Sequence, residues 1–453
     1  MSNKVLHYFE EISKIPRSSG NEKQIANWLV NFAKEHNFEY HIDKYNNVLI
    51  KKGNNNHNPI VLQAHTDMVC IKDMDYDIDF LKDSIKLIYD GDFLKAYKTS
   101  LGADNGLGVA IILSLLDEDN DYNIEALFTS DEEVTMTGAI NFDYSKLSSN
   151  NVISFDGFSD KEIITSCASI CDMKINTTFS KIQKQVDGFK LVVSGLKGGH
   201  SGGDIHKNIG NAIKLTSEFL SNLKNLEIAN FTSGKQFNFI PNQAVVTFTC
   251  YDNAEEIKEN LNNLITKYEK DYPSLMCEVK PEKLNYTIGY KDTLSLISIL
   301  NNLKTGVLVN GELGVVLSQN LACVDTDLNL IKISQRGHDI SLEDDNIISL
   351  QELAKKYGFG FEIFDKQSGF VTNIDSTLVK KAQKSFDKLF NETPTLCTKH
   401  VSLEGGIISQ HIPNFEFIVL SPKILDVHST SERIYIPSID KTYKIVSDIL
   451  SQM

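Results

Sequence analysis

Residues 60–67 read I-V-L-Q-A-H-T-D, a mostly apolar run that ends on a histidine, a threonine and an aspartate. Two runs of the same kind follow. Ile124–Thr129 leads into S-D-E-E (130–133), and Val152–Phe155 leads into Asp156. A buried-helix pattern, Leu107–Leu116, lies between the first two runs. Short apolar strands alternating with helices predict an α/β layer built on a largely buried sheet. Ligands in open α/β sheets bind outside the carboxyl ends of the strands. At that edge this chain places His65, Asp67, the D-E-E triplet and Asp156. Asp104 opens the helix in L-G-A-D-N-G-L-G (101–108), and His428 follows the strand pattern Phe415–Leu420 by a short loop.

Each of these residues alone reads as ordinary structure: a helix cap for Asp104, a solvated loop for D-E-E, a turn before Gly157 for Asp156, a surface residue for any one of the 11 histidines. Their concentration on one edge is the informative feature. Positions i and i+2 of an extended chain point the same way, so Asp67 can hold the far ring nitrogen of His65. Two imidazoles with three carboxylates, one of them bridging, suit a pair of borderline-hard ions such as Zn²⁺, Mn²⁺ or Co²⁺. Two such ions about 3.5–4 Å apart can share a hydroxide that stays nucleophilic at neutral pH. One acid must remain off the metals to move the proton. Glu132 and Glu133 suit that division, because neighbours in an extended segment face opposite ways.

At 453 residues the chain exceeds one compact core, so two domains are expected. Upstream of the first run, Ile25, Trp28, Leu29, Phe32 and Ala33 mark an amphipathic helix with Asn21 as its N-cap. Strands are expected at Glu39–Asp43 and Asn47–Lys52, closing on the turn-rich G-N-N-N-H-N-P (53–59). From about residue 187 the pattern changes. Strand Phe189–Ser194, helix Lys207–Asn222, strands Gln236–Ile240 and Ala244–Tyr251, helix Ala254–Tyr272 and strand Cys277–Lys280 run in β-α-β-β-α-β order, a ferredoxin-like unit. Residues 285–366 offer helices (Leu294–Leu303, Glu343–Tyr357) and strands (Val307–Val309, Leu328–Ile333) for a second copy. Helix Ser376–Phe390, strand Phe415–Leu420 and helix Ser438–Ser451 then complete the first domain. The expected organisation is 1–186 and 367–453 forming one domain, with 187–366 inserted.

Composition excludes several classes. Apolar residues make up 41% and charged residues 23%, a globular balance. Sixty acids against 45 bases give a net charge of −15, which repels phosphate backbones and anionic lipid. Neither nucleic acid nor membrane is therefore an expected partner. Val109–Leu116 is too short to span a bilayer, and the acidic M-S-N-K-V-L-H-Y-F-E-E-I is not a signal peptide. Seven cysteines without a C-x-x-C do not form a disulfide framework; Cys167 and Cys171 read as two small buried residues rather than a redox pair. The expected location is the cytoplasm.

Six motifs in order carry a resemblance: F-E-E-I-S-K-I-P-R-S-S-G-N-E-K (9–23), Q-A-H-T-D-M-V (63–69), L-G-A-D-N-G-L-G (101–108), T-S-D-E-E-V-T-M-T-G-A (129–139), G-L-K-G-G-H-S-G-G-D-I-H (195–206) and H-S (428–429). Through nearly its whole length the sequence resembles the dinuclear-zinc exopeptidases, a family of dipeptidases, tripeptidases, aminoacylases and glutamate carboxypeptidases, and best the aminoacyl-histidine (Xaa-His) dipeptidase branch. The resemblance implies a mixed-sheet α/β catalytic domain with an inserted α+β lid that closes over the metals. It implies that His65 and Asp156 hold one ion, Glu133 and His428 the other, and Asp104 bridges. Asp67 would orient His65, and Glu132 would be the general base. In the lid, His200 resembles the residue that stabilises the oxyanion. Asn238, in N-F-I-P-N, matches an asparagine beside the substrate, and Arg336 a clamp for its C-terminal carboxylate. His400 and Glu404, in H-V-S-L-E-G-G, match a substrate-side loop, but Val401-Ser402 replace the family's Ala-Gly and Gly405 its Cys.

The reaction so implied is metal-dependent hydrolysis of unblocked dipeptides, with two ions per chain, zinc first and manganese or cobalt as alternatives. Aminoacylase or tripeptidase activity would use the same metal site and differ in the pocket. A non-catalytic peptide- or metal-binding protein would have lost Glu132 or a ligand, and none is lost. The lid either stands alone or joins two chains as a homodimer.

Overall fold

The computed structural model describes residues 2–53, 57–312 and 314–453; part of the turn expected at 53–59 lies outside them. Ile60–His65 and Ile124–Thr129 are buried at every position, which explains their near-continuous apolar sequence. They pair in parallel, and Asn151–Ser154 and Glu416–Val419 extend the parallel block on the other side of Ile60–His65. Antiparallel strands flank it: Val48–Lys52 and Glu39–Ile42 at one edge, and Glu162–Cys167 at the other, where Phe370–Val371 pairs antiparallel and Thr395–Lys399 parallel. The result is a nine-stranded mixed sheet. Helix Ala103–Leu116 is buried at all positions between the strand Ile60–His65 and helix Ser2–Ser13. Helices Lys23–Glu35, Thr377–Phe390 and Pro437–Leu450 pack apolar faces into the same core. Asn21 does not cap helix Lys23–Glu35; Glu22 occupies the cap position.

The chain divides into two compact units, one formed by 1–167, 369–399 and 403–453, the other by 168–368 and 400–402. The second is a nine-stranded antiparallel sheet carrying four helices. Its first copy of the β-α-β-β-α-β unit uses Ile182–Ser194, helix Ala212–Leu220, Glu227–Ser233, Ala244–Thr249, helix Ala254–Tyr268 and Met276–Thr287, in sheet order 4-1-3-2. A second copy has the same order, with Gly314–Asp325, Leu330–Gly337 and Gly360–Gln367 as its second to fourth strands. Its first strand is Ser169–Asn176, which pairs with Leu330–Gly337 and Gly360–Gln367. The first copy is therefore inserted into the second.

That interleaving moves the boundary from the expected 187 to 168. Ser169–Asn176 buries alternate residues, and its partners lie more than 150 positions away in sequence, so no local pattern assigns it. Other expectations shift for local reasons. The helix expected at 207–222 is Ala212–Leu220, capped by Asn211. The strand expected at 236–240 is a two-residue piece, Phe239–Ile240, and the sheet uses Glu227–Ser233 instead. Gly314–Asp325 was hidden because its buried stretch includes Ser318, Gln319 and Asn320. All seven cysteines are free, with Cys167 and Cys171 buried. Among the described residues, no helix is long and apolar enough to cross a membrane.

Leu107 is fully buried in the central helix, one turn beyond Asp104. Replacing it with alanine is expected to cost about 2–5 kcal/mol through lost packing and a residual cavity. The measurement is the midpoint of the first denaturant unfolding transition, which should fall.

Candidate functional site

His65 is the last residue of its strand and is 0% exposed. Its Nδ1 lies 3.4 Å from Asp67 Oδ1, and its Nε2 lies 3.1 Å from Asp104 Oδ1 and 3.9 Å from Glu132 Oε2. The other oxygen of Asp104, Oδ2, lies 3.2 Å from His428 Nε2, which is also 3.0 Å from Glu133 Oε1. Asp104 thus presents one oxygen to each histidine. Two overlapping donor sets result, His65–Asp104–Asp156 and Asp104–Glu133–His428, each with ligand atoms within 4.8 Å of one another. Each set offers one imidazole and two carboxylates, a combination suited to a borderline-hard divalent ion. Glu132 and Glu133 also group with His65 within that distance.

Local backbone explains how the acids are aimed. The D-E-E segment is a turn rather than an extended strand, yet its glutamates still diverge, Glu132 toward His65 and Glu133 toward His428. Asp131, just before them, has φ +57, a left-handed conformation uncommon outside glycine. The turn is held by Asp67, whose Oδ1 accepts from Glu132 N–H at 3.0 Å and whose Oδ2 accepts from Glu133 N–H at 3.2 Å. Ser19 donates a further hydrogen bond to Asp67 Oδ2 at 2.7 Å. Asp67 therefore orients a histidine and two glutamates at once.

Crowding so many acids sets the electrostatics. Burial raises Asp156 to about 8, with the charge of Asp104 adding to it. Burial and then the charge of Asp156 push Glu132 well above the usual carboxylate range. Asp104 goes the other way. Burial opposes its charge, but hydrogen bonds from His428 and His65 outweigh it and hold the carboxyl below the usual range. His428 is raised to about 10 by its bonds to Asp104 and Glu133. For His65, burial opposes the charged form, and Asp104 and Asp67 overcome it.

Glu404 belongs to the first unit and is buried, with its Oε2 accepting from Gln63 Nε2 at 2.5 Å and Thr129 Oγ1 at 2.7 Å. Burial raises its pKa to about 7. His400, four residues earlier, belongs to the second unit, so the loop matched in sequence divides between the two units.

Within the second unit, His200 Nδ1 accepts from the backbone N–H groups of Gly202 (3.2 Å) and Gly203 (3.0 Å). Backbone amides only donate, so the ring hydrogen sits on Nε2. Burial and the nearby Arg336 lower the His200 pKa, keeping the ring neutral. A side chain at Gly202 would collide with the His400 carbonyl and the Arg336 guanidinium, so the glycine-rich turn must pass close over both. Ser201 N–H donates to the Asn238 carbonyl at 2.8 Å, and Asn238 itself sits in an exposed turn. His400 Nε2 contacts Ser318 Oγ at 2.7 Å and its Nδ1 contacts His338 Nε2 at 3.3 Å; burial lowers His400 to about 3. Val401 and Ser402 take no left-handed conformation, so the departure from Ala-Gly is accommodated without strain.

Two further buried charges, Arg17 and Glu432, lie beside the cluster. Arg17 lies within a quoted motif, but no spacing distinguishes Glu432, and a lone acid in S-T-S-E-R reads as surface. Gln63, Thr129 and His338 likewise carry no spacing signal, and only the fold brings them against Glu404 and His400.

A model of peptidase family M20/M25/M40 matches residues 61–452. This chain belongs to that family and is a peptidase. It is 31% identical over 475 aligned positions to the cytosol non-specific dipeptidase of Escherichia coli (strain K12), covering 98% of this chain and 96% of that protein. The crystal structure of aminoacylhistidine dipeptidase from Vibrio alginolyticus superimposes with a TM-score of 0.87 at 29% identity, covering 99% of this chain and 96% of that one. A tripeptidase from Staphylococcus aureus shares the fold, with a TM-score of 0.60 at 15% identity over 100% of this chain and 98% of its own.

The raised groups fix a pH dependence. His65, His428 and Asp156 carry protons at neutral pH in the metal-free chain, and a cation must displace them. Uptake of zinc by chelator-stripped protein at pH 7 should release protons, and affinity should rise as pH rises through about 8. Calorimetry in two buffers of different ionisation enthalpy measures both effects.

Proposed function

We propose that this peptidase is a metal-dependent dipeptidase that cleaves unblocked dipeptides, Xaa-His among them, with two divalent ions, zinc first, in the cytoplasm. The relatives named above, one a cytosol dipeptidase and one an aminoacylhistidine dipeptidase, support the substrate class and the location. The observation that carries the metal reading is Asp104, with one oxygen toward each histidine and each histidine in its own acidic set. In this reading His65 and Asp156 hold one ion, Glu133 and His428 the other, and Asp104 bridges. Bound there, two divalent ions would polarise the scissile carbonyl and lower the pKa of a water at neutral pH.

The chain's own groups account for the remaining roles. Glu132 accepts the proton of the attacking water and delivers it to the leaving amine. Burial and the charge of Asp156 raise its pKa above the usual carboxylate range, the direction that favours accepting a proton. Asp67 keeps His65 and the backbone of Glu132 in register. His200, neutral with its hydrogen on Nε2, donates to the carbonyl oxygen as negative charge develops there. Arg336 pairs with the substrate's terminal carboxylate, and Asn238, His400 and Glu404 complete the substrate contacts. A homodimer, where it forms, uses the second unit, whose sheet ends in the edge strands Met276–Thr287 and Gly360–Gln367.

Two variants test the assignment. Glu132→Gln should lower turnover by about 10²–10⁴-fold while ion content stays near two per chain; unaltered turnover removes Glu132 from the mechanism. Arg336→Ala should lower kcat/KM for dipeptides by about 10- to 100-fold, mostly through KM. The deciding experiment is release of free amino acids from dipeptides, N-acyl amino acids and a tripeptide by stripped and reloaded protein. Cleavage confined to N-acyl substrates would make the protein an aminoacylase, and preference for the tripeptide a tripeptidase.

A further inference from the structure

Glu432 is buried four residues beyond His428, and its carboxylate points at backbone rather than into the acidic cluster. Oε2 accepts from Leu101 N–H at 2.8 Å and Gly102 N–H at 3.2 Å, and Oε1 accepts from Ala103 N–H at 2.8 Å and Asp104 N–H at 3.4 Å. Four successive amides thus converge on one acid at the start of the helix Ala103–Leu116, where orphan N–H groups and the helix dipole both favour a negative charge. The last of the four belongs to Asp104. The loop that carries His428 therefore ends in the group that holds the backbone of Asp104.

Arg17 makes the complementary link. Its Nη1 donates to the carbonyls of Thr66 and Asp67, both at 3.1 Å, and its Nη2 donates to the carbonyl of Gly102 at 2.6 Å. Gly102 lies at φ +70, and a side chain there would collide with the Arg17 guanidinium and the Met68 sulfur. The arginine thus ties the segment after His65 to the turn before Asp104, and the glutamate ties that turn to the segment after His428. An ordinary helix cap satisfies one or two amides of its own helix. Here two opposite buried charges join three separate segments, each bearing an expected ligand.

We propose that Arg17 and Glu432 are positioning residues that set the spacing of His65 and His428 about Asp104, and so the affinity of the site for its pair of ions. The inference rests on the two-ion reading of the site. Removing a group that orients a ligand lowers metal affinity by about 10- to 100-fold in comparable sites. In Glu432→Gln an amide nitrogen replaces one oxygen and faces two N–H donors, so two of the four bonds are lost. In Arg17→Lys the charge remains, but a single ammonium cannot span the carbonyls of Thr66, Asp67 and Gly102 together.

The test titrates zinc into chelator-stripped wild type, E432Q and R17K by calorimetry with a competing chelator. Thermal melts of the stripped proteins establish folding, and dipeptide kinetics are then recorded at saturating zinc. Expected is a loss of zinc affinity of about 10- to 100-fold in folded E432Q or R17K, with KM within twofold of wild type once the site is filled. Two ions bound by both folded variants as tightly as by wild type would overturn the proposal and leave the two-ion site standing. Failure of both variants to fold would make the pair purely structural and overturn it as well. A wild type that takes up no ion would overturn the two-ion reading itself, and this inference with it.

Discussion

Negative charge crowded into a small, dry volume is the constraint around which this structure is organised. Asp104, Asp156, Glu132, Glu133 and Glu404 converge where the parallel strands end, all shielded to a large degree from solvent. Burying an unpaired carboxylate costs several kcal/mol, so such a group either protonates or acquires a positive partner. Both responses are visible: Asp156 and Glu132 shift toward the protonated form, and His65 and His428 are driven toward the charged form. Divalent cations would resolve the same conflict and release the protons. The cluster is in this sense a site under electrostatic tension, held by the fold.

Rigid surroundings make that tension sustainable. The parallel strands are buried throughout, and the helix Ala103–Leu116 behind the cluster is buried at every position. Asp67 spends its hydrogen-bonding capacity on one serine and two backbone amides while facing the His65 ring at 3.4 Å, and Glu432 spends its own on four amides. These acids are fully employed in holding other groups still. Acids of the same type a few ångströms away are left facing one another, and that contrast separates the holders from the held.

The second unit follows a different logic. Its antiparallel sheet repeats one small topology twice, with one copy threaded into the other. What it presents is donors rather than acids: a neutral His200 with a defined tautomer, Arg336, and His400 in contact with Ser318 and His338. Gly202 lets the turn approach Arg336 and His400 closely, which gives the glycine-rich motif a steric reason. These groups differ in kind from the acids and histidines gathered at the strand ends of the first unit.

Much of this was legible in the sequence because buried parallel strands are written as apolar runs, and the residues just past them stand out as polar breaks. Ile60–His65, Ile124–Thr129 and the acids after them were read from that contrast, and the order of six motifs pointed to the family. The hidden parts share a cause. Ser169–Asn176 pairs with strands more than 150 positions away, so nothing local marks it as the first strand of the second copy. The loop that carries His400 and Glu404 is one motif in sequence, yet its two residues belong to different units. Arg17 and Glu432 look like any surface charge until the chain folds, because their partners are backbone groups that carry no sequence signature. By itself the sequence determined which residue types gather at the strand ends and the family to which the chain belongs. Only the tertiary structure decided which acid faces which histidine, which tautomer His200 holds and which charges stay with the backbone, since those depend on distances of a few ångströms that residue order does not fix, whether the partners lie two positions apart, as His200 and Gly202 do, or more than three hundred, as Asp104 and His428 do.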